Sequence, residues 1–114
     1  MKVLFVIVVL VFVHLSLFVA RSAANSRGGA ERVICGVFGP YCSQALRVAW
    51  CESRMETGAA NGQYLGLFQM GAYARELYGH GSTAHDQAVA AHRYFVASGR
   101  DWSPWSCKPV RLAS

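Results

Sequence analysis

The chain has 114 residues, 54% hydrophobic and 15% charged, and its 11 basic and 6 acidic side chains give a net charge of +5. That length excludes a multidomain machine, and that hydrophobic content excludes a disordered tail. The basic residues are scattered, with no Lys/Arg-rich run, so nucleic acid is not a favoured partner; the mild excess suits an anionic polymer, a membrane surface or a cell wall.

Residues 1–24 read as a signal peptide. Lys2 supplies a short positive start, residues 3–20 are apolar apart from His14 and Ser16, and Ser22-Ala23-Ala24 offers small side chains for cleavage after Ala24. The rival reading is an uncleaved anchor, since the apolar run is nearly long enough to span a bilayer. Either way the remainder is exported, with nine basic and six acidic residues left after position 24. Residues 25–34 are polar and Gly-rich and read as a flexible linker. Residues 35–109 read as the folded domain, and 110–114 as a tail.

All four cysteines, Cys35, Cys42, Cys51 and Cys107, follow the leader. An even count in a short exported chain implies two disulfides. A zinc site drawing on His80, His85 or His92 is disfavoured, because no cysteine pair has the close spacing of such sites. If residues 42–53 are helical, Cys42 and Cys51 lie about 13 Å apart along the axis, too far to bridge. Of the three possible pairings that leaves two, and Cys35–Cys42 with Cys51–Cys107 is the favoured one. The first closes a small loop over 35–42, and the second ties the first helix to the C-terminal end.

Residues 43–53 (SQALRVAWCES) read as that first helix, ended by Thr57-Gly58. At about 100° per residue, Ala45, Leu46, Val48, Ala49 and Trp50 form an apolar arc, and Glu52 falls inside it. A carboxylate there breaks the amphipathic pattern. It is paired, with Arg93 a candidate, or faces water at a frayed end, or serves chemistry. Burial disfavours its charged form.

Residues 61–70 (NGQYLGLFQM) carry too many glycines for a helix. Asn61-Gly62 is a turn signal, and Tyr64-Leu65 followed by Leu67-Phe68 predicts a short extended ribbon. Gly66 is expected to let the backbone approach a neighbour closely. A second helix is predicted over 72–78, stopped by Gly79. Thr83 and Asp86 form a capping box for a third, running to about Ser98 with Gly99 as its cap. Its apolar face is expected to hold Ala84, Ala88, Ala91 and Phe95, with Val89 and Val96. Trp102 and Trp105, in a tight aromatic turn, are expected to cap the core rather than stack sugars.

These elements predict a mainly α, α+β domain: small, helical, with a short Gly-rich β-ribbon, stapled by two disulfides. A cleft beside the ribbon would have Glu52 at its floor. A carboxyl group so placed suits protonation of a leaving oxygen, the step that glycosidic bonds need.

Trp50-Cys51-Glu52-Ser53, with Asn61-Gly62-Gln63-Tyr64-Leu65-Gly66-Leu67-Phe68-Gln69-Met70 a short way on, resembles the signature of lysozyme-like lytic transglycosylases. The Cys-Glu-Ser opening and the closing Trp102-x-x-Trp105-x-Cys107 also resemble the resuscitation-promoting factors of Gram-positive bacteria. The resemblance covers residues 45–107. It implies a secreted, wall-associated lysozyme-like glycosidase acting on the β-1,4 bond between N-acetylmuramic acid and N-acetylglucosamine. Glu52 would be the general acid, protonating the bridging oxygen. As carboxylate it would then take the proton from the muramic C6 hydroxyl as an anhydro ring closes. Ser53, Gln69 and Tyr64 would line substrate subsites and Phe68 the cleft wall. Such transglycosylases usually carry Ala-Tyr-Asn on a later helix, its tyrosine facing the acid. Here the stretch is Ala90-Ala91-His92-Arg93-Tyr94, and His92 takes the tyrosine's place. Two residues apart on a helix, His92 and Tyr94 cannot both face the cleft.

A hydrolytic muramidase is the nearest alternative and would need a second acid from Glu56, Glu76, Asp86 or Asp101. A non-catalytic module that binds cell-wall glycan is the alternative of another class. No metal or organic cofactor is expected. The expected partner is the peptidoglycan glycan strand, engaged by a monomer. A domain this small, with no separate wall-binding module, could also call on a cell-wall partner protein.

Overall fold

The computed structural model describes residues 6–10 and 26–109. The stretch read as a signal peptide, residues 1–24, lies outside the described residues except for 6–10, and residues 110–114 lie outside them entirely. Residues 6–10 are helical and exposed, and no helix among the described residues is long and apolar enough to cross a membrane.

The domain is mainly helical. Helix α1 covers residues 26–38, a 3-10 turn follows at Gly39–Tyr41, and α2 spans Cys42–Ser53. Strands β1 (Ala60–Asn61) and β2 (Tyr64–Leu65) form a two-stranded antiparallel hairpin, followed by α3 (Ala72–Tyr78) and α4 (Ala84–Ala97). The disulfides join Cys35 to Cys42, with Cα atoms 4.4 Å apart, and Cys51 to Cys107, with Cα atoms 5.9 Å apart. This is the favoured pairing of the two that helix geometry allows, and it is compatible with an extracellular protein.

The stretch expected to be a linker is helical instead. Gly28 and Gly29 suggest a loop, yet Ala30, Ile34 and Phe38 recur every fourth residue and are all buried. That stripe lets tertiary packing override the weak helix propensity of glycine. Consequently Cys35 sits in the last turn of α1 rather than in a loop, and the first disulfide clips α1 to the start of α2.

Helix α2 ends earlier than Thr57-Gly58. Its last residue is Ser53, and both Arg54 (φ 55°) and Met55 (φ 65°) are left-handed. Neither is a glycine, so this conformation costs about 1–2 kcal/mol per residue. Burial of the Met55 side chain offsets part of that cost. Along α2 the buried residues are Ala45, Val48, Ala49 and Ser53. Trp50, expected on the apolar arc, is 45% exposed beneath the guanidinium groups of Arg27 and Arg54.

The hairpin register pairs Ala60 with Leu65 and Asn61 with Tyr64, so its two-residue turn is Gly62-Gln63. Leu67 and Phe68 do not extend the ribbon. They lie in a turn closed by the Leu65–Met70 bridge, and both side chains are fully buried. Gly66 adopts φ 80°, and a Cβ there would come within 2.6 Å of Gln87 Oε1. The expected close approach is real, and its partner is Gln87.

Helices α3 and α4 match their predicted limits. Thr83 caps α4 by accepting the Asp86 backbone N–H at 3.1 Å, and Gly99 takes φ 78° just beyond its end. Ala88, Ala91 and Phe95 are buried as expected, whereas Val96 is 37% exposed. The core is an aromatic stack seeded by Phe38. Its ring lies 5.5 Å from Phe68, 5.8 Å from Phe95 and 5.6 Å from Trp102. Trp102 and Trp105 are both core residues, and each indole N–H is satisfied, by Gln44 Oε1 at 2.8 Å and by the Phe68 carbonyl at 3.0 Å.

Candidate functional site

A cleft of about 520 Å³ opens where the end of α2, the hairpin, the start of α3 and the C-terminal segment meet. Glu52 lines it from the last turn of α2. Asn61, Gln63 and Tyr64 come from the hairpin, Gln69 from the following turn, and Tyr73 from α3. Tyr94 reaches in from α4, and Pro104, Trp105 and Ser106 form the far lip.

Glu52 is half-buried, and its Oε1 accepts the backbone N–H of Cys107 at 3.0 Å. Arg93 is not its partner: that guanidinium donates to the Tyr78 carbonyl at 3.4 Å. The carboxylate is thus oriented by one backbone donor, and the same residue's sulfur is bonded to Cys51, next to Glu52 in sequence.

Gln69 lines the cleft with a left-handed backbone (φ 44°). Its Nε2 donates to the carbonyls of Ala59 and Gly66, at 3.1 and 3.0 Å, which pins the cleft wall to the base of the hairpin. Arg75 braces the same wall from α3, donating through Nη1 to the carbonyls of Gln63 and Met70. Lys108 is likewise committed to backbone carbonyls, those of Trp102, Ser103 and Trp105. Neither cation lines the cleft.

Of the residues singled out from the sequence, Glu52, Tyr64 and Gln69 converge on the cleft. Ser53, Phe68 and His92 do not line it. Ser53 is buried, and its hydroxyl donates to the Ala49 carbonyl at 3.0 Å, because it sits one helical step round from Glu52. Phe68 is 1% exposed and belongs to the aromatic core. His92 packs edge-on against Phe38, ring centroids 5.1 Å apart. The choice between His92 and Tyr94 therefore falls to Tyr94, against the expectation. On α4, Tyr94 lies two turns from Gln87 on the face toward the hairpin, and His92 shares the Ala88–Phe95 face toward α1.

Sequence reasoning missed Gln87. Its side chain is 3% exposed, its Oε1 accepts the Leu67 N–H at 2.8 Å, and its Nε2 donates to the carbonyls of Thr57 and Gly81 at 3.0 and 2.9 Å. One amide thereby joins α4 to the loop after α2, to the turn carrying Gln69 and to the loop before α4. A polar residue between Asp86 and Ala88 gives no sequence signal of burial; the nearest clue is Gly66, which marks the gap it fills.

The other acids stand apart from the cleft. Glu56 lies past the end of α2 on a separate groove with Ala30 and Met55. Asp101 accepts the Ser103 N–H at 2.7 Å, and Glu76 and Asp86 are exposed on α3 and α4. Among the described residues, Glu52 is the one carboxylate lining the cleft. No group of His, Cys, Asp and Glu side chains among the described residues is arranged to hold a metal ion. Chemically, the cleft offers a single proton donor or acceptor, amides for hydrogen bonding, and exposed tyrosine rings.

No protein-family model matches the chain, and neither a curated protein nor a solved structure matches it.

Proposed function

We propose that the protein is an exported enzyme that cleaves peptidoglycan at the N-acetylmuramic acid–β-1,4–N-acetylglucosamine bond, with Glu52 as its general acid and base. The observation that carries this reading is a half-buried carboxylate, the one carboxylate among the described residues of a cleft whose lining includes three amide side chains and four aromatic rings. Amides suit the hydroxyl and acetamido groups of an amino sugar, and aromatic faces suit its C–H surfaces.

The reaction follows from having one acid. Protonated Glu52 gives its proton to the bridging oxygen as the glycosidic bond breaks. The resulting carboxylate then takes the proton from the muramyl C6 hydroxyl, whose oxygen closes onto the anomeric carbon. The nucleophile belongs to the substrate, so no second carboxylate is required. Hydrolysis by either the retaining or the inverting route uses two acids flanking the bond, and Glu56, Glu76, Asp86 and Asp101 do not line this cleft. That favours the lytic transglycosylase reading over the hydrolytic one. The deciding experiment is mass spectrometry of the fragments released from purified sacculi. Anhydromuramyl ends, lighter by one water than hydrolytic ends, are expected. Reducing ends alone would replace transglycosylation with hydrolysis, and binding without fragments would make the protein a glycan-binding module.

A further inference from the structure

Three tyrosines line the cleft, and they are not equivalent. Tyr94 is built into the core: its ring stacks on Tyr78 at 4.8 Å and packs on Trp105 at 5.0 Å. Tyr64 and Tyr73 have no ring partner among the described residues and are 45% and 73% exposed. They rise from different elements, Tyr64 from β2 and Tyr73 from the first turn of α3. Gly71 links them, two residues before Tyr73 in the chain and beside the Tyr64 ring. A Cβ at Gly71 would stand 3.2 Å from Cε1 of Tyr64, so the absent side chain lets that ring lie against the start of α3. Gln63 is fixed beside them, its Oε1 accepting the Ala72 N–H at 3.2 Å.

Leaving two large aromatic faces in water forgoes the gain from burying them, and neither ring contributes to the aromatic core. The adjoining wall has Asn61 and Gln63 as its polar side chains, and the Arg75 guanidinium that braces it is engaged by the Gln63 and Met70 carbonyls. An amide wall beside open aromatic faces fits a pyranose ring: C–H faces on the tyrosines, hydroxyl and acetamido groups on the amides.

We infer that Tyr73 and Tyr64 form a sugar-stacking subsite at the α3 end of the cleft, which binds a further N-acetylhexosamine unit of a β-1,4 glycan next to the pair cleaved at Glu52. This rests on the glycan-cleaving reading of the cleft and adds Tyr73 as a residue that sets how long a chain is held. The subsite acts through affinity, so it is engaged by longer oligosaccharides and not by short ones.

The test is calorimetric titration of the full chain carrying Glu52→Gln with N-acetylglucosamine oligomers from dimer to hexamer. Adding Tyr73→Ala is expected to weaken binding of the longer oligomers about three- to tenfold, leave the dimer unaffected, and be rescued by Tyr73→Phe, which keeps the ring. Tyr73 is largely exposed, so thermal unfolding of these variants should match the parent and separates stacking from folding. With Glu52 intact, Tyr73→Ala should raise KM for glycan strands rather than lower kcat. Equal affinity of the Tyr73→Ala and parent proteins for every oligomer that binds overturns the subsite and leaves the glycan reading standing. If no oligomer binds and sacculi are not cleaved, the reading of the cleft itself fails.

Discussion

Glu52 Oε1 accepts the backbone N–H of Cys107 at 3.0 Å, while Cys107 is bonded through sulfur to Cys51, the residue before Glu52. The two links close a small circuit between the end of α2 and the C-terminal segment. Covalent chemistry fixes the segment, and the segment's amide then aims the carboxylate into the cleft. In this arrangement the second disulfide does positional work on the acid as well as stabilising the fold.

Replacing Glu52 by Gln tests the acid directly. Loss of general acid–base catalysis should slow sacculus cleavage by about a hundredfold or more. Glutamine keeps the shape and an oxygen acceptor for the Cys107 N–H, so glycan binding should persist. Turbidity loss of a sacculus suspension beside a pull-down assay reads both; cleavage surviving the change would remove Glu52 from the mechanism.

Opening the second disulfide, by Cys51→Ser with Cys107→Ser, frees a ring spanning 56 positions. The chain-entropy model puts the loss near 4 kcal/mol, readable as a lower urea midpoint. Activity measured well below that midpoint should also fall, because the amide that orients Glu52 is no longer tethered. Full activity of the folded variant would show that the circuit matters for stability alone.

Gln87→Ala should be costly for an uncharged change. It leaves the Leu67 N–H and the Thr57 and Gly81 carbonyls without their partner, at about 3 kcal/mol in all. Denaturant unfolding reads the loss. Gly66→Ala should behave similarly, since its Cβ would collide with the same amide and its backbone is left-handed. A loss within 0–1 kcal/mol in Gln87→Ala, on the order of an exposed substitution, contradicts the role assigned to the amide.

His80 carries a small pH dependence. Partial burial and, secondarily, the positive charge of Arg75 hold its pKa below 6.5. The unfolded chain therefore binds a proton more readily than the folded one, and stability rises with pH up to 6.5. The contribution is present above that value and is lost as pH falls through the lower folded pKa. His80→Gln should flatten this part of the stability profile, and the effect should be slight because the residue is largely exposed. An unchanged slope across that window in thermal unfolding would assign it to another group.

Tyr94→Phe and His92→Gln separate the two faces of α4. Removing the Tyr94 hydroxyl alters a group at the cleft and should change cleavage rate or its pH profile with little effect on unfolding. His92→Gln should lower thermal stability, through the lost contact with Phe38, while cleavage by the folded protein stays close to that of the parent. The reverse pattern would return His92 to the site.

Local rules read from the sequence alone decided much of this protein. Helix periodicity, the Thr83–Asp86 cap, Gly79 and Gly99 as stops, and the distance that keeps Cys42 from Cys51 all act within a few residues or along one helix axis. They also put Glu52 on the inward side of α2. Packing between elements decided the rest. Ala30, Ile34 and Phe38 make α1 out of a Gly-rich stretch only because an aromatic core waits to receive them. Leu67 and Phe68 leave the ribbon because that core takes their side chains. Ser53 and His92 sit within a helical step or two of cleft residues, and a rotation of about 100° per residue is enough to send a side chain from groove to interior; Phe68 is next to Gln69 in a turn, and the core takes its ring. Gln87 gains its role from neighbours distant in the chain, its amide finding three backbone partners, and only the tertiary structure leaves the Tyr73 ring without a ring partner among the described residues.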